Sequence, residues 1–145
     1  MTLRIREAQL DDAPAIAALA GVLGYAVEPE EMGNRLSRVL ARGEDTVLVA
    51  ASGADELAGW LHGARHTLLT SPLTCEILAL VVSARHRRLG VARGLVTTLE
   101  SWARSHGVTT LTVRSNIVRL ESHAFYASLG YDRIKTQHVY RKPLT

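Results

Sequence analysis

The chain has 145 residues, which suits one domain, 1–145, and leaves little room for a second. With 47% hydrophobic and 21% charged residues it can bury a core and still dissolve. Its apolar runs, such as Ile77 to Val82, are too short to span a bilayer, and the charges between Arg4 and Glu7 sit where a signal peptide needs an apolar stretch. A soluble, cytoplasmic protein without a membrane partner is therefore expected. The single cysteine, Cys75, excludes an internal disulfide and agrees with a reducing compartment.

In chain order, Leu3 to Ala8 reads as a first strand. Asp11 and Asp12 are N-cap candidates, and Pro14 suits the first turn of a helix running to about Leu23. Pro29-Glu30-Glu31 opens a second helix, whose early acids and late Arg38 and Arg42 match the helix dipole. Asp45 to Ser52 and Glu56 to His66 read as two strands joined by Gly53-Ala54-Asp55. On the second, Trp60, His62 and His66 share one face, with Leu61 and Arg65 opposite. Thr67 to Leu73 reads as a loop. Cys75 to Val82, almost wholly apolar, predicts a central strand buried on both faces. A helix follows from about Leu89 to His106 and stops at Gly107. Thr109 to Arg114 predicts a strand, Val118 to Leu129 a short helix closed by Gly130, and Tyr131 to Lys142 one or two final strands. The fold class expected is α/β (α+β), with a mixed, mostly antiparallel sheet and about four helices on its faces.

The net charge of +3 and pI of about 9.4 are mildly basic, and Arg85, Arg87, Arg88 and Arg93 cluster beside His86. Such a cluster suits nucleic acid, an anionic surface or a phosphorylated small molecule. No aromatic interleaving or recognition motif accompanies it, so no nucleic-acid partner is expected. Its setting is more telling: a buried strand, a short basic turn, then a helix start. Helix starts carry unpartnered N–H groups and favour negative charge. Gly90 and Ala92 let an anion approach the backbone, and the arginines add charge-assisted hydrogen bonds. The pattern Arg87-x-x-Gly90-x-Ala92 is neither a mononucleotide P-loop nor G-x-G-x-x-G. A second constellation is Asn116-x-x-Arg119 followed by Phe125-Tyr126 and Leu129-Gly130-Tyr131, with Arg119, Ser122 or His123, and Tyr126 on one helical face.

Together these stretches resemble the acetyl-CoA motif and the C-terminal motif of the Gcn5-related N-acetyltransferases (GNAT), and the order of elements is similar along essentially the whole chain. The C-terminal wording is also similar to that of small bacterial members acting on aminoalkylphosphonates and other small amines. The resemblance implies acetyl-CoA as co-substrate. It implies a diphosphate held by the backbone from Arg87 and Arg88 through Leu89, Gly90, Val91 and Ala92 to Arg93. The pantetheine arm would lie along Leu80, Val81 and Val82, in a gap where that strand splays from Thr109 to Arg114. Asn116 and Ser122 would contact the arm, and Tyr126 would protonate the departing thiolate.

An amine attacks a thioester only when neutral, and a lysine-like amine has a pKa of about 10.4, so a base must take a proton. Glu76 is the acidic residue of the expected central strand. It stands eleven positions before Arg87, as the catalytic glutamate does in the Gcn5 branch. A covalent route through Cys75 and a metal held by histidines are the lesser alternatives. Acceptor candidates are Tyr25, Glu28, Trp60, His62, Arg65 and Thr74. Glu28 would attract a cation and Arg65 a carboxylate or phosphonate. The expected reaction is acetyl transfer to a primary amine of a small molecule in a ternary complex. A protein or peptide acetyltransferase and a non-catalytic acetyl-CoA sensor are the alternatives. Homodimers are common in families of this kind, and nothing in the residues selects that state.

Overall fold

The computed structural model describes residues 3–22, 24–53, 56–115 and 120–145. They form two compact units, Met1–Val113 and Arg114–Thr145. The first holds strands β1 (Arg4–Glu7), β2 (Asp45–Ala51), β3 (Leu57–His66), β4 (Thr74–Val82) and β5 (Leu111–Val113). Its helices are α1 (Ala13–Val22), α2 (Pro29–Ala41) and α3 (Val91–Ser105), with 3-10 turns at Leu10–Asp12 and Ala84–His86. The second unit contains α4 (Leu120–Ser128).

The sheet runs β1-β2-β3-β4-β5, antiparallel from β1 to β4 and parallel between β4 and β5. Alternation along β3 sorts the helices onto its two faces. Trp60 packs with Ile16 and Ala20 of α1, Leu36 of α2 and Val81 of β4. The opposite face meets α3, and there β3 must be bare. A Cβ on Gly59 would stand 2.7 Å from the Val81 carbonyl oxygen and 3.0 Å from a methyl of Val91. Gly59 thus lets β4 and the first turn of α3 close against β3. Leu61, Leu95 and Leu99, all fully buried, fill this side.

Three expectations change. Asp12 does not cap α1; it is the last residue of the preceding 3-10 turn. Its carboxylate accepts the Gln9 N–H at 2.7 Å and both guanidinium ends of Arg6 at 2.8 and 2.9 Å. The Arg6 hydrogen bonds are the main reason its pKa lies below the ordinary value. Second, β4 is not buried throughout. β5 pairs only with Cys75, Glu76 and Ile77, so Leu78 is 43% exposed and Ala79 and Leu80 are half-buried. Third, no strand forms between Tyr131 and Lys142: residues 132–145 are all exposed, so no side-chain face is buried there to fix a pairing.

Candidate active site

Two backbone features meet where β4 ends. Past Ile77, among the described residues, no strand lies beside β4 on its β5 side. Leu80, Val81 and Val82 therefore present a free edge whose N–H and C=O groups can pair with an extended ligand. A β-bulge between His62 and Gly63, opposite Leu78, bends the ladder where this edge begins.

The chain then turns into α3 over Ser83 to Gly90. Ser83 caps the 3-10 turn by accepting the Arg85 N–H, and His86 is buried there with its Nδ1 unpartnered. Arg88 and Gly90 both have positive φ, 65° and 78°. Glycine adopts this region freely; arginine pays about 1–2 kcal/mol for it. Left-handed residues in turns of this kind form anion-binding nests of N–H groups. No side chain caps α3, and its first turn has no acid and contains Arg93. Among the described residues, Arg87, Arg88 and Arg93 have no ion-pair partner, whereas Arg85 is held by Glu56 at 3.0 Å. An uncapped helix start, a cation in the first turn and free guanidinium groups fit a diphosphate.

Glu76 is 7% exposed, and its Oε1 lies 3.0 Å from Nε2 of His66. It pairs in register with Ala64 and so shares the α1/α2 face with His62 and Trp60. His62 lies diagonally from Glu76 across the ladder, a spacing of roughly 7–8 Å in a regular sheet. Cys75 points the other way. It is fully buried, and desolvation pushes its thiol to about 11. At neutral pH that group has no thiolate to offer as an acyl acceptor.

On the same face a cleft of about 490 Å³ opens between α2 and the sheet. Ile16, Leu36, Val47 and Trp60 supply its apolar walls, and Arg35, Arg38, Arg42 and His62 its polar ones. Asp45 at the start of β2 organises this end. Its side chain is 3% exposed and binds Arg42 at 2.6 Å and His62 at 2.7 Å. Burial alone would raise its pKa, but those two hydrogen bonds and the Arg42 charge outweigh it and hold the pKa below the ordinary value.

Of the expected acceptor residues, the structure brings Trp60 and His62 into this cleft. Tyr25 and Glu28 are exposed on the stretch before α2, where Glu28 is the N-cap position. The Thr74 hydroxyl is engaged by the Thr110 carbonyl at 3.3 Å. Arg65 is a correction: it lies on the α3 face, 5.3 Å from the Trp102 ring centroid, with one N–H on the Gly43 carbonyl at 2.6 Å. Strand alternation puts it behind the sheet from Glu76. Arg35, Arg38 and Arg42 were missed as cleft residues, although Arg35 and Arg38 share one face of α2 at i, i+3 and Arg42 is its C-cap.

In the second unit, Tyr126 is half-buried between Phe125 and Tyr131, with ring centroids at 5.1 and 5.8 Å. Desolvation raises its phenol above the ordinary value of 10.0, so it keeps its proton through the neutral range. Ser122 is half-buried on α4, while Asn116 lies outside the described residues.

Comparison with known proteins agrees with this geometry. The model of the acetyltransferase (GNAT) family matches residues 5–131. An aminoglycoside N(6′)-acetyltransferase type 1 of Stenotrophomonas maltophilia is 26% identical over 97% of this chain and 93% of its own length. An aminoglycoside 6′-N-acetyltransferase solved with the bisubstrate analogue CoA-S-monomethyl-acetylneamine superposes with a TM-score of 0.87 at 16% identity, over 99% of this chain and 100% of that one. A second, from Acinetobacter baumannii, gives 0.85 at 18% over 99% and 100%. No helix among the described residues is long and apolar enough to cross a membrane. With an open strand edge leading into an uncapped, arginine-flanked helix start, and with nearly the whole chain matched, the protein belongs to the acetyltransferase (GNAT) family and is an acetyl-CoA-dependent N-acetyltransferase.

Proposed function

We propose that the chain acetylates a primary amine of a small molecule by direct attack in a ternary complex. The observation that carries this reading is the sharing of one sheet face by Glu76 and the α2 cleft, beside the free edge of β4. Likeness to curated small-molecule acetyltransferases over nearly their full length supports it.

Acetyl-CoA supplies an activated acetyl thioester. In this reading the amides from Arg88 to Arg93 and the free arginines hold its diphosphate, and Leu80 to Val82 align its arm. The acceptor enters the cleft with its amine toward Glu76. Glu76 takes the proton that the nitrogen loses as the N–C bond forms. A backbone N–H of the Leu80–Val82 edge donates to the oxyanion of the tetrahedral intermediate. As the C–S bond breaks, Tyr126 gives its proton to sulfur. That role comes from the motif on α4 and agrees with the phenol's raised pKa. Holding two reactants together supplies much of the acceleration.

The test is a screen of small amines with acetyl-CoA, reading free thiol release and the mass of the N-acetyl product. Turnover with a compact amine that is lost in Glu76→Gln supports the reading. Tight acetyl-CoA binding with no product from any amine would leave a sensor instead. Turnover confined to peptides would make the acceptor a protein.

A further inference from the structure

We infer that the acceptor amine carries an anionic group, a carboxylate or a phosphonate, and that Arg35 and Arg38 of α2 and Arg42, its C-cap, receive it. The inference rests on the proposed transfer to a small amine and narrows its substrate class.

Arg35 and Arg38 share one face of α2 at i, i+3, Arg42 follows at its extended C-cap, and all three border the cleft that holds His62. Their carboxylate partners number two. Glu31 Oε1 serves Arg35 at 3.1 Å and Arg38 at 3.7 Å, and Asp45 serves Arg42 while also binding His62. One guanidinium charge is therefore in excess. Each guanidinium also has five N–H donors, most of which these contacts leave open. Their side chains are 54%, 74% and 59% exposed, so they can turn toward a ligand without breaking the core. The carboxylates beside the cleft among the described residues, those of Glu31 and Asp45, are already engaged by these arginines.

Complementing the α2 dipole would account for Arg38 and Arg42, which stand near the helix end, but not for Arg35 midway along it. Nor would it explain why all three border the cleft. A polycationic acceptor meets the opposite field: its charges would face guanidinium groups whose neighbouring carboxylates are already engaged. An amine at Glu76 lies two strands from β2, roughly 10 Å in the plane of the sheet. Arginines rooted on α2 above β2 shorten that span, so a compact amine can reach both ends.

The experiment compares kcat/KM for amines of matched length: ω-amino acids, ω-aminoalkylphosphonates, uncharged amino alcohols and diamines. The anionic series should exceed the neutral series by about tenfold or more, and the diamines should be poorest. Whether the carboxylate or the phosphonate arm leads identifies the oxyanion. Arg38→Gln, at an exposed position where folding is not at stake, should lower the anionic-to-neutral ratio by about tenfold, mainly through KM for the anionic acceptor. Arg38→Glu should move preference toward the diamines. Neutral amines or diamines used as well as anionic ones, with a ratio unmoved by either variant, would overturn the inference while acetyl transfer to small amines stood. No turnover with any amine by a protein that binds acetyl-CoA would sink the acceptor reading itself, and this inference with it.

Discussion

Nε2 of His66 stands 3.0 Å from Oε1 of Glu76, joining β3 and β4 on the face that carries the cleft. A carboxylate only 7% exposed needs a polar partner of this kind. His66 is half-buried, so the pair lies at the margin of the core.

Glu76→Gln keeps the shape and removes the proposed base. It should lower kcat by about 10²–10³-fold while acetyl-CoA still binds, since Glu76 is remote in sequence from the diphosphate turn. Amines of low pKa should suffer least, because more of each is already neutral. Undiminished kcat at every pH would remove Glu76 from the mechanism. His66→Ala should shift the pH profile of kcat, and His66→Gln should restore part of the rate by offering an amide donor to the same oxygen. A variant that changes stability but leaves the pH profile in place would mark His66 as structural only.

Much of this was legible in the sequence for a local reason. A buried strand, a basic turn with Gly90 and a helix start are written in consecutive residues. Glu76 stood out as a carboxylate in an apolar strand. What was not legible depends on what lies opposite. The exposure of Leu78 follows from a β5 only three residues long. Arg38 and Arg42 read as dipole partners, and the cleft they border exists only where α2 packs on the sheet. Arg65 had the right chemistry and the wrong strand face. The alternation that assigns it there was available, yet charge alone nominated it.

Asp45 offers a pH test of the cleft's foundation. Its folded pKa is depressed, so the stability it contributes is present above the unfolded value of about 3.9 and is lost as pH falls through the folded one. Asp45→Asn should cost about 1–3 kcal/mol at pH 7, leaving His62 and Arg42 without their shared carboxylate. Urea unfolding at pH 7 and at successively lower pH should show the gap between wild type and variant closing below about pH 4. A gap of constant size across that range would mean that the carboxylate's charge is not what stabilises.

Tyr126→Phe tests the proposed proton donor. With its pKa raised by burial, the phenol stays protonated to beyond pH 10, so its ionisation should not limit kcat below that point. Removing the hydroxyl should lower kcat by about tenfold to a hundredfold with acetyl-CoA. An acetyl thioester of a more acidic thiol needs no proton on departure and should narrow the deficit. An equal deficit with both donors would mean that Tyr126 acts by packing against Phe125 and Tyr131 rather than as an acid.

Gly90 separates backbone strain from charge in the turn proposed to hold the diphosphate. Its φ is 78°, and a Cβ there would meet nothing within 4 Å. Gly90→Ala should therefore cost only the left-handed penalty, about 1–2 kcal/mol, lowering Tm by a few degrees. Its binding of acetyl-CoA should weaken modestly. Gly90→Glu carries the same strain and adds a carboxylate at an uncapped helix start, where it would satisfy the amides and neutralise the free arginines in place of the diphosphate. Calorimetric titration should show binding lost in Gly90→Glu and retained in Gly90→Ala, although glutamate's charge suits the helix start better than alanine does. Binding that survives glutamate at wild-type strength would move the diphosphate away from the α3 start. Equal loss in both variants would mean that the left-handed turn, rather than the space and charge around it, is what the coenzyme needs.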